Sequence, residues 1–272
     1  MIDLGTLSGL PMTLLDSGQL QFPSGVIIEE YLERPLRALA RVVLDREAVA
    51  AAPESDIAYT MYNGVSLAAD APRLAGRNLR YELTSIPARR IGREYIKTLG
   101  HRHNTAPGSS YAYPEICEVL HGVAHFLFQV RGPTPAEAPS AWYVEVVAGE
   151  KIIIPPSLLH LTINPGPQTL LFSDVISLGM RGIYDDFRAA GGACYLEVEE
   201  HGQPRFIPNP RYPAVPELQR VPPPKCPALG IRHDVPLYSA FLEYGPQWRF
   251  LDDPDLFWPL FPEIKAMLSG LS

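Results

Sequence analysis

Cysteine is scarce. Only Cys117, Cys194 and Cys226 occur, an odd and scattered set with no CxxC pair and no disulfide framework. That usage suits a reducing cytoplasm and excludes a disulfide-stapled scaffold. No apolar run reaches bilayer-spanning length, and Met1-Ile2-Asp3-Leu4-Gly5 is not a positively charged leader followed by an apolar core. The sequence therefore predicts a soluble, unexported protein with no membrane partner. Positive charge is in deficit, 23 Lys+Arg against 30 Asp+Glu for a formal net of -7, which disfavours a nucleic-acid or acidic-membrane binder. There is no solenoid-type repeat, and the 29 prolines gather at turns and in the C-terminal third.

What is present, over 272 residues, is room for one large β domain or two small ones. Residues 1–35 read as short strands and turns. Pro35 to Ala52 carries a helical signal, and Asp45 is placed to cap a short helix from Arg46. Asp56–Tyr62, Tyr81–Ile86, Tyr143–Val147, Lys151–Ile154, Thr169–Ile176 and Cys194–Val198 read as strands between Gly/Pro turns, the pattern of a sandwich or barrel. Asp185–Ala190 predicts a helical turn closed by Gly191-Gly192. A proline-dense linker, Pro208–Pro227, precedes a predicted strand at Leu237–Tyr244. After it, Pro254–Leu271 predicts an amphipathic helix with Leu256, Phe257, Leu260, Ile264, Met267 and Leu268 as a packing stripe.

The chemistry gathers between Thr98 and Asn164. Alternate strand residues share a face, so His101 and His103 project together. Imidazole nitrogens suit iron, manganese, nickel, copper or zinc, and a carboxylate completes a mixed shell with positions open to substrate. Glu115 supplies the carboxylate and His160 the third imidazole. Any single histidine is by default structural, and His121, His125, His201 and His233 are read so, with a lumen-facing His125 as the alternative. Together, though, His101-x-His103, Glu115-x6-Gly122 and Gly149-x5-Pro155 with His160 and Asn164 form the two-part signature of the cupins, with Ser157 where glycine is usual. Upstream, Arg89, Arg90, Arg93, Lys97 and Arg102 form a basic run. With Thr84, Thr98 and the Gly100 backbone it predicts an anion site close to the metal; the alternative is a solvated hairpin with charged edges.

These motifs resemble those of the cupin-type (archaeal-type) phosphoglucose isomerases. Asp56-Ile57-Ala58-Tyr59-Thr60-Met61-Tyr62, then Thr84 through Arg93-Glu94 to Thr98-x-Gly100-His101-x-His103, follow that family's order. So do Glu115–Gly122, Ile154-Pro155 through His160 to Asn164, and Pro208-Asn209-Pro210-Arg211-Tyr212. The resemblance covers roughly residues 10–213. It implies an all-β fold, the cupin double-stranded β-helix (a jelly-roll barrel) with a few short flanking helices. The cupin domain would be 1–213, with a metal-binding core at about 80–180, and 214–272 would be an extension packed on the barrel or its dimer mate.

By the same resemblance the chain is a cytoplasmic homodimer interconverting glucose 6-phosphate and fructose 6-phosphate. It would hold one divalent metal ion per subunit (Fe, Mn, Ni or Zn) on His101, His103, Glu115 and His160. Thr84, Thr98 and Gly100 would match phosphate-binding positions, with Arg93 of the basic run beside them. Tyr59 would match a substrate-contacting tyrosine, and Tyr184 is the tyrosine retained after His160. The reaction moves hydrogen between C1 and C2, either through an enediolate with Glu115 as proton shuttle or by hydride shift. Three positions depart from the family: Cys117, expected beside the metal and substrate, replaces a tyrosine, Ile176 another, and Gly182 a histidine. They leave open a metal cupin acting on another small polyol or oxo-acid (isomerase, epimerase or oxygenase), or a sugar-binding cupin without turnover.

Overall fold

A computed structural model describes residues 1–223 and 226–270. Pro224 and Lys225 of the proline-dense linker lie outside the described residues, as do Leu271 and Ser272. In chain order the elements that matter here are β1 (Glu30–Pro35), α1 (Arg46–Ala51), β2 (Ile57–Asn63), β3 (Leu79–Ile86), β4 (Arg102–His103), β5 (Glu115–His121), β6 (Val123–Gln129) and β7 (Ala141–Val147). They continue with β8 (Lys151–Ile154), β9 (Leu159–Ile163), β10 (Leu170–Ser177), α2 (Asp185–Ala190), β11 (Tyr195–Glu200), β12 (Gln203–Pro208), β13 (Leu218–Arg220), α3 (Leu237–Tyr244) and α4 (Pro262–Gly270).

One sheet runs β8-β5-β10-β3-β2-β1 and the facing one β9-β6-β7-β13. The segment before β4 joins the outer edge of β9 through the bridges Lys97↔Ile163 and His101↔His160. The four strands β3-β10-β5-β8 thus face 97–103, β9, β6 and β7. This is the double Greek key of a jelly roll, so the expected cupin-type β-barrel is the fold observed. Strands β1 and β2 extend the first sheet beyond the barrel.

Period-two alternation decides which residues meet the lumen. On β3, Tyr81 and Leu83 point outward while Arg80, Glu82 and Thr84 point inward; on β10, Leu171 and Val175 point outward while Phe172 and Asp174 point inward. All eight residues of β10 are buried, because the sheet is covered on both faces. The inner cluster includes Val119, Phe126, Phe128, Trp142 and Leu170. The outer one packs Leu83, Ile116, Ile153, Leu171 and Val175 against the N-terminal Leu4, Leu10 and Met12 and the C-terminal Phe241, Trp248, Phe250, Phe257 and Phe261.

Three local expectations change. Leu237–Tyr244 is a helix rather than a strand: it buries Leu237, Tyr238, Ala240 and Phe241, the spacing of one helical face. The Pro254 segment breaks into a 3-10 turn, a short helix ending at Leu260, and α4, because Pro262 has no N–H to continue the helix. In that stripe Phe257 and Ile264 are buried while Leu260 is exposed. The Pro35–Ala52 signal yields a 3-10 turn at Leu36–Leu39 and α1, whose Asp45 cap accepts from the Ala48 N–H at 2.8 Å. Within the linker, β13 pairs in parallel with β7.

Candidate metal centre

His101, His103, Glu115 and His160 converge on the inner wall, and their donor atoms all lie within 4.8 Å of one another. Gly100 makes the approach possible. Its φ is +79°, and a Cβ there would sit 2.7 Å from the Phe187 ring, so the chain turns tightly beneath α2 before His101 enters the barrel. The His103 Nδ1–H donates to the Tyr113 carbonyl at 2.7 Å, which fixes the tautomer and leaves Nε2 as a lone pair facing inward. That Nε2 is buried without a hydrogen-bond partner, 3.2 Å from Glu115 Oε2, and His160 Nε2 is 4.0 Å from the same oxygen. The other Glu115 oxygen accepts from the Cys117 thiol at 2.9 Å.

Electrostatics keep these groups in metal-ready form. Burial, then the neighbouring His160 and His103, holds His101 well below the usual imidazole range. Burial and His103 hold His160 down at about 4, so both rings are neutral near pH 7. Burial opposes ionisation of Glu115, but the adjoining His103 and His160 and the Cys117 thiol outweigh it and lower its pKa. Three imidazoles, a carboxylate and a buried unpaired Nε2 fit a divalent ion.

Beside this cluster opens a cavity of about 460 Å³, lined by Tyr59, Thr84, Thr98, Tyr184 and Gly182 as well as His101, Glu115 and His160. The Tyr184 ring lies 5.4 Å from the His101 ring. A Cβ at Gly182 would fall 3.0 Å from Tyr184 and 3.2 Å from His101, so the space of a larger side chain is already taken by the tyrosine. Tyr59 accepts a hydrogen bond from the Leu99 N–H at 3.4 Å, and burial raises its pKa. Cys117 is fully buried behind Glu115 and Ile176 is fully buried too; neither lines the cavity. Nor does Gly100, which is covered by Phe187.

The basic run goes elsewhere than an anion pocket. Arg89 pairs with Asp56 at 2.9 Å, Arg90 with Glu199 at 2.5 Å, and Arg102 with Asp186 at 2.8 Å. Lys97 is buried against Glu94 and the Val42 carbonyl. Arg93 is exposed and lies outside the cavity, so the structure does not bring it to the other predicted site residues. The cavity's cations are Arg34, Arg80 and Arg181, which the sequence motifs did not flag. Arg80 is paired with Glu82, but Arg34 meets no carboxylate among the described residues and lies 5.8 Å from the Tyr59 ring and 5.5 Å from the Tyr184 ring. No sequence motif marked it; the register that sets Arg34 of β1 opposite Tyr59 of β2 brings it there. His125 does not face the lumen; it lies between Glu197 at 2.6 Å and Glu145 at 3.1 Å beneath β11.

The description of the glucose-6-phosphate isomerase (GPI) family matches residues 33–211, well over half the chain. Among curated relatives, a glucose-6-phosphate isomerase of Pyrococcus abyssi is 25% identical over 50% of this chain, and the match spans 65% of that protein's own length. One of Pyrococcus horikoshii is 25% identical over 71% of this chain and 95% of the relative. The likeness to a solved oxalate oxidase in complex with the substrate analogue glycolate is slight: TM-score 0.34, 15% identity, 47% of this chain and 55% of that one. Family motifs, barrel and metal-ready cluster coincide in one stretch of sequence, and the chain belongs to the glucose-6-phosphate isomerase family.

Proposed function

We propose that this protein is a metal-dependent aldose–ketose isomerase acting on glucose 6-phosphate and fructose 6-phosphate. The observation that carries the reading is the opening of the His101, His103, Glu115 and His160 cluster onto a cavity that also holds an uncompensated guanidinium, Arg34. A divalent ion held there, iron, manganese, nickel or zinc, would polarise the two oxygens on C1 and C2 of the sugar. His103, locked by Tyr113, and Glu115, steadied by Cys117, would fix its position.

The phosphate would rest between Arg34 and the hydroxyls of Thr84 and Thr98, near Gly100, at the end of the cavity where Tyr59 and Tyr184 flank the guanidinium. Glu115, Tyr59 and Tyr184 are the candidates for moving the proton between C1 and C2. A hydride shift would leave them to orient the substrate alone, and solvent deuterium entering the product separates the two routes. Three buried, unpaired cysteines support a cytoplasmic setting. For assembly we propose a homodimer: Tyr31 and Leu32 are exposed on the edge strand β1, and sedimentation tests it.

The test is a coupled assay of fructose 6-phosphate formation. Chelation should abolish it, and added divalent ion should restore it. His103→Ala should lose the bound metal and lower kcat by about 100-fold or more. Arg34→Ala should raise KM by about 10-fold or more at unchanged metal content. A metal-loaded protein that binds the sugar phosphate without turning it over would be a sugar-binding cupin instead.

A further inference from the structure

Six acidic side chains of the described residues are more than nine-tenths buried: Glu94, Glu115, Glu118, Asp174, Asp186 and Glu197. Five are answered from within the chain. Glu94 has Lys97 and the Leu44 N–H, Glu118 has Lys151 and the Leu237 N–H, Asp186 has Arg102 and Arg131, Glu197 has His125, and Glu115 has His103 and Cys117. Asp174 is 5% exposed and receives no hydrogen bond or ion pair among the described residues. It is not a member of the donor cluster at the metal site. It does line the cavity, on β10 between Cys117 on one neighbouring strand and Glu82 on the other.

A buried carboxyl without partners weakens a fold, and a ligand entering the cavity can supply the missing partner. The cavity limits what that partner is. Arg34, Thr84 and Thr98 offer donors to an anion, while Glu82, Glu30 and Asp174 offer acceptors on the same inner wall. A ligand filling both needs an anionic group and hydroxyl donors, which is the chemistry of a polyhydroxylated phosphate. Resting on the sugar-phosphate reading above, we infer that Asp174, with Glu82 beside it, is the specificity-determining receptor for the hydroxyls of the substrate's carbon chain outside the reacting C1–C2 pair. The two oxygens of one carboxyl group meet neighbouring hydroxyls at once, a match that an alkyl chain lacks.

The experiment compares a hexitol 6-phosphate, which has the hydroxyls but no carbonyl to isomerise, with n-hexyl phosphate, which has neither. Titration calorimetry would be run on the metal-loaded wild type, Asp174→Ala and Asp174→Asn. The wild type should prefer the hexitol phosphate by about 10-fold or more. Asp174→Ala should weaken binding of the hexitol phosphate by about 10-fold while binding hexyl phosphate and metal as before, the C1 and C2 hydroxyls still meeting the metal. Its melting temperature should be equal or higher, since an unpaired buried acid has been removed. Asp174→Asn, which keeps the shape, guards against a folding failure and should raise KM for fructose 6-phosphate more than it lowers kcat.

The inference is overturned if the wild type does not distinguish the two phosphates, or if Asp174→Ala binds the hexitol phosphate as tightly as the wild type. It is equally overturned if both variants melt lower and lose metal, which is the mark of a structural acid. A wild type that shows no isomerase activity yet discriminates through Asp174 would remove the proposed reaction and leave the hydroxyl receptor standing.

Discussion

His160 is held neutral by burial and by His103, with its folded pKa at about 4 against about 6.5 for a free imidazole. Between those values the unfolded chain binds the extra proton and the folded chain does not, so stability rises with pH in that window. In chelated protein, acidification from about pH 6.5 toward 4 should therefore cost up to about 3 kcal/mol from this residue. His101 adds in the same direction. Thermal melts across that range in a chelator check this, and His160→Gln should flatten the slope; an unchanged slope would contradict it. Ser157 shows a different accommodation at the same scale. It holds φ at +71°, the conformation that makes glycine usual there, while its Oγ accepts from the Ala112 N–H at 3.2 Å.

At the scale of elements, the end of the metal motif is a staple rather than a ligand. Asn164 follows β9 fully buried, and its Nδ2 donates to the carbonyls of Ile86 at 3.0 Å, Pro87 at 3.2 Å and Gln168 at 2.9 Å. It ties the end of β3 to the turn before β10, so the two neighbouring cavity strands are held together at one end. Asn164→Ala leaves buried carbonyls unsatisfied and should destabilise by about 2–4 kcal/mol, read from the urea midpoint, with metal content unchanged in the folded fraction. Loss of metal without loss of stability would instead make Asn164 part of the site.

For the whole molecule, the C-terminal segment is continuous with the core. Glu118 accepts from the Leu237 N–H at 2.6 Å at the start of α3, and Trp248, Phe250 and Phe257 cover the outer face of the six-stranded sheet. A chain cut after residue 213 should expose Leu83, Leu171 and Val175, bind a hydrophobic dye and aggregate on purification. A monomeric, metal-binding 1–213 fragment would show that the extension is dispensable.

The sequence alone determined which three histidines and one glutamate come together and their setting, because those constraints are local. His101 and His103 share a face through strand periodicity, and turn residues punctuate the strands that carry Glu115 and His160. The Asp45 cap and the helix of Asp185–Ala190 were legible for the same reason. What only the tertiary structure decided depends on which strand lies opposite. The basic run became a set of ion pairs because Asp56, Glu199 and Asp186 come to it from distant segments. Leu237–Tyr244 became a helix because its buried face matches the sheet it covers. Arg34, Glu82 and Asp174 reached one cavity through the register of β1, β2, β3 and β10. A strand's own sequence sets the faces on which its side chains alternate, while non-local pairing sets what they meet.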